Sequence, residues 1–488
     1  MIGINACVES IHIYYRKAEF MNDISIPTPI HFTGIFGSGM SAIAQYLAFA
    51  GIEITGSDRL IDAPDSANVK QSLISCGCKI FPQDGSGVDR GAGAVCVSTA
   101  IEDSNPDIAA AKKMGIPILH RSDVLASLVK SRKSVAVAGT SGKSTVTAMI
   151  FELLAACGKS PSLISGAALR CLEAKGMLGN AFSGKSDLLV IEADESDGTL
   201  VKYEPYASVI LNISKDHKPE DEVMAMFKRL ISQSKWAAVN ADDPKFCSLL
   251  DELKENGGQD KASSTPVTTF GFNDGTDFHG LMTKIEPLSS TITINGADYT
   301  LPAPGEHNAA NLLAALCVCR HLGCDSDDLI KAAANYQGVD RRFAIHRTAS
   351  GVTVIDDFAH NPEKIRAAVG AAQKLSAKVT AVYQPHGFGP TRFLKNEYAE
   401  TFKAIFRPTD TLCLLPIYYA GGTAVKDIAS QDIINLMGDV NFNAIAVDSR
   451  DEAAEIAKKY AEKGSCVMVM GARDPSLSSF VKRITDFF

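Results

Sequence analysis

No apolar run in this chain approaches the ~18 residues needed to cross a bilayer, so the sequence offers no membrane-spanning helix. Positive charge is in deficit as well. The 48 Lys and Arg face 56 Asp and Glu, a formal charge of −8, which gives no general attraction to nucleic acid or to an anionic membrane. Internal repeats and low-complexity stretches are missing, which excludes repeat architectures. A secretory signal is missing too: in "MIGINACVESIHIYYRKAEF" charges interrupt any apolar core, and Met21 offers an alternative start. The 12 cysteines are scattered, and Cys76-x-Cys78 and Cys317-x-Cys319 lack a second pair at zinc-ligand spacing. The expectation is a cytoplasmic protein with reduced, mostly buried thiols rather than disulfides or metal ligands.

What is present is an alternation. With 488 residues and about 150 per domain, roughly three domains are expected. Short β-branched runs alternate with Ala-rich helical stretches, the pattern of βα units and parallel sheets, so the fold class is α/β. The first block, 1–131 with 1–28 as an extension, opens its pattern with "IHFTGIFGSGMSAIAQYLAFAG", a strand, a glycine turn and a helix from about Met40. Further strands are expected in "IEITGSD", "KIFPQ", "AVCVSTA" and "IPILH". The second block, 132–342, starts with "KSVAVAGTSGKSTVTAMIFELLAACG" and continues through "DLLVIEADESD", "YASVILNIS" and "KWAAVNADD". Residues 266–301 look antiparallel, because "STITINGADYTL" alternates around Asn295-Gly296, a two-residue hairpin signal. The third block, 343–488, carries "GVTVIDD", "KVTAVYQP", "DTLCLLPI", "NAIAVDS" and "SCVMVMG" as strands.

Chemistry gathers at the ends of these strands. In "VAGTSGKST" a strand enters Gly139, Thr140, Ser141 and Gly142, and a helix is expected at or after Lys143. Backbone N–H groups of such a loop, with the helix N-terminus, suit a phosphate. Lys143 suits β/γ oxygens and the Ser144 hydroxyl suits Mg²⁺. Val137 stands where the usual loop has its first glycine, so the loop is a shorter variant. In "EADESDG", Glu192, Asp194, Glu195 and Asp197 crowd carboxylates that repel unless a cation is present, and Mg²⁺ is the natural one. Asp216 and His217 of "NISKDH" sit at another strand end, where His217 suits a second Mg²⁺.

The first block has Gly34-x-x-Gly37-x-Gly39 between strand and helix, followed by Asp58 at the next strand end. A diphosphate on the helix N-terminus with an acid reaching a sugar or base fits this spacing, and NAD and a UDP-sugar both remain open. In the third block, "VIDDFAHNPEKI" places Asp356, Asp357 and His360 at a strand end with Pro362 opening a helix, and "YQPHGFG" repeats the arrangement with His386. Taken singly, each histidine reads as structural rather than catalytic.

Together "HFTGIFGSGMSAIA", "STAIEDSNP", "GTSGKST", "EADESDG", "NISKDH", "PGEHNAANLLAA", "GVDRRF", "VIDDFAHNP" and "YQPH" resemble the Mur ligases, in family order over residues 30–475, and within them the alanine-adding branch. The resemblance implies an N-terminal Rossmann-like UDP-binding domain, a central P-loop ATPase domain with a small antiparallel part, and a C-terminal Rossmann-like domain for the incoming amine. It implies that ATP phosphorylates the carboxylate of UDP-N-acetylmuramate and that an amine displaces phosphate, in peptidoglycan precursor synthesis. By the same resemblance Gly139, Thr140, Ser141, Gly142, Lys143, Ser144 and Thr145 hold ATP, and Ser144, Glu192 and His217 bind Mg²⁺. His307, Asn308 and Asn311 lie on the adenine side, Arg342 reaches the phosphates and Asp357 the ribose. Gly37, Ser38, Gly39, Met40, Asp58, Ser98, His120 and Arg121 take the UDP portion, and His360 and His386 face the amine or acyl phosphate. A monomer or weak homodimer with small-molecule partners is expected.

The chain departs from that pattern where the nucleophile is chosen. The branch typically has His at Ser141, Tyr at Phe358, a second His at Asn361, and arginines where Gly387 and Pro390 stand. An arginine that clamps a carboxylate bidentately has no substitute in glycine or proline. Either Arg392 holds the carboxylate of L-alanine or the nucleophile differs, as in the branch that adds a preformed tripeptide. From another class, a nucleotide-binding oxidoreductase and a non-catalytic UDP-sugar-binding protein remain alternatives.

Overall fold

In the computed structural model, residues 26–196, 198–214, 218–252, 265–419, 425–474 and 476–488 are described. They form two compact units, one within residues 26–285 with 289–339 and the other within 286–288 with 340–488. Among the described residues no helix is long and apolar enough to cross a membrane.

The first unit contains two α/β layers whose sheets are parallel but for one edge strand. Its N-terminal sheet is built from β1 (Ile30–Thr33), β2 (Ile54–Ser57), β3 (Lys79–Phe81), β4 (Ala94–Val97) and β5 (Ile118–His120), in the order β3-β2-β1-β4-β5. The order reverses at β1, the topological switch point where α/β sheets bind ligands. The second sheet holds β6 (Lys133–Ala138), β7 (Ser162–Ile164), β8 (Ala181–Phe182), β9 (Leu188–Glu192), β10 (Ala207–Ile210), β11 (Trp236–Asn240), β12 (Val267–Gly271) and β13 (Phe278–His279). Its order is β13-β12-β11-β10-β6-β9-β7-β8. Strand periodicity of two explains the packing: Val135 and Val137 of β6 enter one core cluster, Ala136 and Ala138 another. The second of these cores also contains Phe32, Tyr46 and Leu47 of the N-terminal layer, so both layers share buried apolar surface.

The expected antiparallel region is narrower than 266–301. β12 and β13 extend the parallel sheet, and only β14 (Leu281–Ile285), β15 (Ser290–Ile294) and β16 (Ala297–Leu301) pair antiparallel. A short apolar run such as "VTTFG" fits either direction; its partner strand decides. The hairpin itself forms at Asn295 (φ 51°) and Gly296 (φ 80°), the left-handed pair that a two-residue turn requires.

The second unit is a six-stranded sheet of β17 (Ala344–Arg347), β18 (Thr353–Asp357), β19 (Val379–Gln384), β20 (Thr411–Leu414), β21 (Asn443–Ala446) and β22 (Cys466–Gly471), in the order β17-β18-β22-β19-β20-β21. β17 is an antiparallel edge strand within "FAIHR" and the rest is parallel. Alternation again splits the core: Met468 and Met470 face one apolar cluster, Val467 and Val469 the other. The chain is thus a three-domain α/β protein with a small antiparallel sheet.

Candidate active site

β6 lies between β10 and β9, so three parallel strand ends deliver the glycine loop, Asn212 and Glu192 to one sheet edge. The loop turns because Gly139 (φ 145°) and Gly142 (φ 87°) adopt values that L side chains rarely take. A Cβ at Gly142 would also lie 2.7 Å from Asn311 Oδ1. The helix Lys143–Ala156 starts at Lys143 without a side-chain cap, the arrangement in which first-turn N–H groups serve an anion. The loop is braced from β10. The Thr140 N–H donates to Asn212 O at 3.1 Å, and the Ser141 N–H donates to Asn212 Oδ1 at 2.8 Å. The Thr140 hydroxyl donates to Ser214 O at 3.2 Å and accepts from the Ser214 N–H at 3.0 Å. Thr145 follows, half-buried, in the first helical turn.

Lys143 Nζ donates to Gly139 O at 2.8 Å and to Glu195 Oε2 at 2.7 Å, with Asp194 Oδ1 at 3.5 Å. Burial alone would lower its pKa, but the carboxylates of Glu195, Asp194 and Glu192 outweigh burial and raise it, so the ammonium is retained. Burial would likewise raise Asp194, yet Lys143 and Ser196 hold it below the usual carboxylate value. The Ser144 hydroxyl donates to Glu192 Oε2 at 3.1 Å, while Glu192 Oε1 accepts from Ser165 Oγ at 2.5 Å and Gly166 N at 3.1 Å. A hydroxyl and a carboxylate in contact are hard oxygen donors of the kind Mg²⁺ prefers, and Mg²⁺ keeps waters and phosphate oxygens for its other positions. Among the described residues no three His, Cys, Asp or Glu converge as a self-sufficient metal cage. His217, Asp216 and Asp197 lie outside the described residues.

The helix Glu306–His321 brings Asn311 against Gly142, and its neighbour Asn308 donates to Pro304 O at 2.7 Å. His307 is exposed at the start of the same helix, its ring beside Gly305.

At the N-terminal sheet, the turn after β1 meets Asp58 after β2. Asp58 is buried and accepts from the Phe36 N–H at 3.0 Å and the Leu60 N–H at 2.9 Å, so it buttresses the loop from behind. The helix Ser38–Phe49 follows with Gly37 as its uncapped N-cap. Gly37 and Ser38 are exposed, whereas the Met40 side chain is core, so Met40 offers a ligand only its backbone. A Cβ on Gly39 would lie 2.8 Å from the Arg121 guanidinium, which therefore covers the helix start. Ser98 is half-buried just beyond β4. His120 Nδ1 accepts from the Ser122 N–H at 3.2 Å and caps the helix Arg121–Lys130. From the central domain Asn180, which sequence reading missed, donates to Ser38 O and Ser41 Oγ at 3.0 Å and accepts from Gln45 Nε2 at 2.8 Å.

In the second unit, the residues flanking Arg342 are left-handed, Arg341 at φ 56° and Phe343 at φ 51°. Non-glycine residues in that region carry strain of the sort found at functional sites. Arg341 is anchored inward by Asp356 Oδ1 (3.3 Å) and Gly471 O (2.7 Å), leaving Arg342 exposed. Burial pushes Asp356 up to about 6, against the pull of Arg341. Asp357 accepts from the N–H groups of Phe343 and Ala359, both at 2.7 Å, and burial raises its pKa despite Arg342. Both guanidinium groups stack on Phe358, Arg342 at 4.9 Å and Arg341 at 5.3 Å from the ring centre. His360 packs edge-on to Phe358 and lies 5.5 Å, ring to ring, from His386. The His360 carbonyl is pinned by Tyr398 Oη at 2.7 Å and Tyr383 Oη at 3.2 Å. Thus Arg342, Asp357, Phe358, His360 and His386 form one cluster. Arg392 is engaged elsewhere: its Nε donates to Asp427 Oδ1 at 2.9 Å and its Nη2 to Val425 O at 3.0 Å, on a groove of about 480 Å³.

Three family models match in series: the Mur ligase family catalytic domain over 29–133, the Mur ligase middle domain over 137–319, and the Mur ligase glutamate ligase domain over 341–473. The UDP-N-acetylmuramate–L-alanine ligase of Cereibacter sphaeroides is 30% identical over 91% of this chain and 93% of its own. The protein of the same name from Paenarthrobacter aurescens is 34% identical over 91% and 94%. Among solved structures, UDP-N-acetylmuramate-alanine ligase from Thermotoga maritima aligns with a TM-score of 0.75 at 25% identity, covering 94% of this chain and 99% of that one. A murein peptide ligase from Psychrobacter arcticus shares the fold, with a TM-score of 0.65 at 20% identity over 93% and 97%. With all three domain models in order and such identity over nearly its whole length, the chain belongs to the Mur ligase family.

Proposed function

We propose that this protein is an ATP-dependent, ADP-forming ligase that joins L-alanine to the carboxylate of UDP-N-acetylmuramate through an acyl phosphate. The observation that carries the reading is the contact of Lys143, Ser144, Glu192 and Glu195 around a glycine loop at the edge of a parallel sheet. Family membership and the names of the relatives support the substrates. The domain of residues 1–131 binds the UDP portion through Gly37, Ser38, Gly39, the Met40 backbone, Ser98 and Arg121, with Asp58 and His120 holding those elements. The domain of residues 132–342 binds ATP through residues 139–145, with His307, Asn308 and Asn311 on the adenine side. The domain of residues 343–488 presents the amine, with Arg342 at the phosphates, Asp357 at the ribose, and Phe358, His360 and His386 toward the reacting groups.

Lys143 neutralises developing charge on the transferred phosphoryl group, the largest contribution available to a reaction between two anions. Ser144 and Glu192, with His217, are the residues to hold Mg²⁺, which when bound lowers the charge repulsion between nucleotide and carboxylate. Glu195 keeps the Lys143 ammonium charged and placed, and Asn212 braces the loop. The protein acts as a monomer or weak homodimer. The test is phosphate release from ATP with UDP-N-acetylmuramate, screened against amino acids and short peptides; release with L-alanine supports the reading, and no release with any amine overturns it.

The tripeptide-adding reading is favoured by two observations. Gly387 caps the helix Phe388–Ile405 at φ 69°, where an arginine would be strained, and Arg392 is paired with Asp427. Stronger release with a tripeptide than with L-alanine in the same screen selects that reading.

A further inference from the structure

Glu192 is the last residue of β9, and the register of the sheet decides what stands beside it. β7 pairs parallel with β9, Ser162 with Leu189, Leu163 with Val190 and Ile164 with Ile191. β8 pairs antiparallel with β7, Leu163 with Phe182 and Ile164 with Ala181. One step beyond Ile164, the same rows bring Glu192, Ser165 and Asn180 side by side. Ser165 lies between the carboxylate and the asparagine and bonds to both.

The main chain of Ser165 faces Asn180: its N–H donates to Asn180 O at 2.9 Å. The Asn180 side chain is itself held by Ser38 O, Ser41 Oγ and Gln45 Nε2, so this side of Ser165 is fixed. The side chain of Ser165 faces Glu192. Its oxygen accepts the Ala167 N–H at 3.1 Å, and its proton goes to Glu192 Oε1 at 2.5 Å. The Gly166 N–H is a second donor to the same carboxylate oxygen, at 3.1 Å. Glu192 Oε2 is left on the side of the Ser144 hydroxyl, 3.1 Å away. Ser165 is 2% exposed, so its hydroxyl has no bulk water to turn to instead.

A glutamate side chain has three rotatable bonds, and a cation that captures it from solvent must freeze them. Here the donors on Oε1 freeze them in the fold, before any cation arrives. Hydrogen-bond partners behind a metal ligand orient it in this way and are costly to remove. We propose that Ser165 is a positioning residue for the metal corner of the phosphate loop: its hydroxyl holds Glu192 Oε1 so that Oε2, beside Ser144, is presented to Mg²⁺. The inference rests on the assignment of Ser144 and Glu192 to Mg²⁺ made above. Ser165 acts through Glu192 and not on the reacting groups.

The test is calorimetric titration of the full chain with adenylyl imidodiphosphate, a non-hydrolysable ATP analogue, once with Mg²⁺ and once with EDTA. In the parent, Mg²⁺ should tighten binding. Ser165→Ala should weaken the Mg²⁺ titration on the order of tenfold to a hundredfold and leave the EDTA titration within about twofold. Its affinity for UDP-N-acetylmuramate should match the parent's, because the main-chain bond to Asn180 survives the substitution. An equal loss with Mg²⁺ and with EDTA overturns the inference, since a general disturbance of the loop would act on both. A variant that binds like the parent under both conditions overturns it too. A parent indifferent to Mg²⁺ removes the metal assignment of Ser144 and Glu192, and the inference falls with it.

Discussion

The loop after β1 and the loop after β6 share a plan: a parallel strand, a glycine turn and a helix with no side-chain cap. They differ in where charge comes from. The second loop carries its cation in its own sequence, Lys143, surrounded by Glu192, Asp194 and Glu195. The first has no lysine, and its cation is Arg121, which reaches Gly39 from the start of another helix. A lysine within the loop follows a phosphoryl group as its charge develops, whereas a guanidinium laid across a helix start suits a diphosphate that is held and never transferred. One loop is built for a reaction and the other for retention.

The largest test of that difference is Lys143→Ala. It should lower phosphate release roughly a thousandfold while leaving UDP-sugar affinity nearly unchanged. Turnover within tenfold of the parent would mean that the loop is not where charge is neutralised. Arg121→Ala should do the reverse, raising the KM for UDP-N-acetylmuramate on the order of tenfold to a hundredfold with kcat little altered, as expected for a lost charge-assisted contact. A fall in kcat without a change in KM would break the comparison, since Arg121 would then act in the transition state.

Asn180→Ala probes the join between the two loops. It removes two donated bonds and one accepted bond between the central domain and the first two turns of the Ser38–Phe49 helix. The expected loss is about 1–3 kcal/mol of stability, read in urea unfolding, with a several-fold rise in KM for the UDP-sugar. An unchanged KM beside the lost stability would reduce Asn180 to packing alone.

Local sequence foretold most of what local forces decide. Gly142 and the Asn295-Gly296 hairpin were legible because positive φ selects glycine and asparagine wherever the chain runs. The βα alternation gave the α/β class because hydrophobic periodicity is also written locally. Residues that act across long separations were not legible. Asn212, Asn180 and Ser165 are unremarkable in their own segments, and only the order β10-β6-β9 brings Asn212 and Glu192 beside the loop. The pairing of Arg392 with Asp427 was hidden likewise. The oxidoreductase alternative, which the first loop alone allowed, falls with the family assignment.

The smallest effect concerns one carboxylate in each of the two layers, Asp107 and Glu152. In the N-terminal layer, burial would raise Asp107, but His31, Ser57 and Thr33 hydrogen-bond to it and hold it below the usual value. Its stabilisation is therefore present above an unfolded pKa of about 3.9 and is lost as pH falls through the lower folded value. In the phosphate-loop helix, burial pushes Glu152 up to about 7, only partly opposed by the N–H of Gln337, which it accepts at 2.8 Å. The sign is opposite: the protonated form is favoured in the fold, so its stabilisation is full below an unfolded pKa of about 4.3 and is lost as pH rises from there through about 7. Glu152→Gln keeps an acceptor for Gln337 and removes the titration. Above pH ~7 it should be more stable than the parent by on the order of 1–3 kcal/mol, and the gap should close near pH ~4. Thermal midpoints across that range decide it: a gap independent of pH would mean that Glu152 titrates alike in the folded and the unfolded chain, and a gap that widens as pH falls would mean that its pKa is held down as that of Asp107 is.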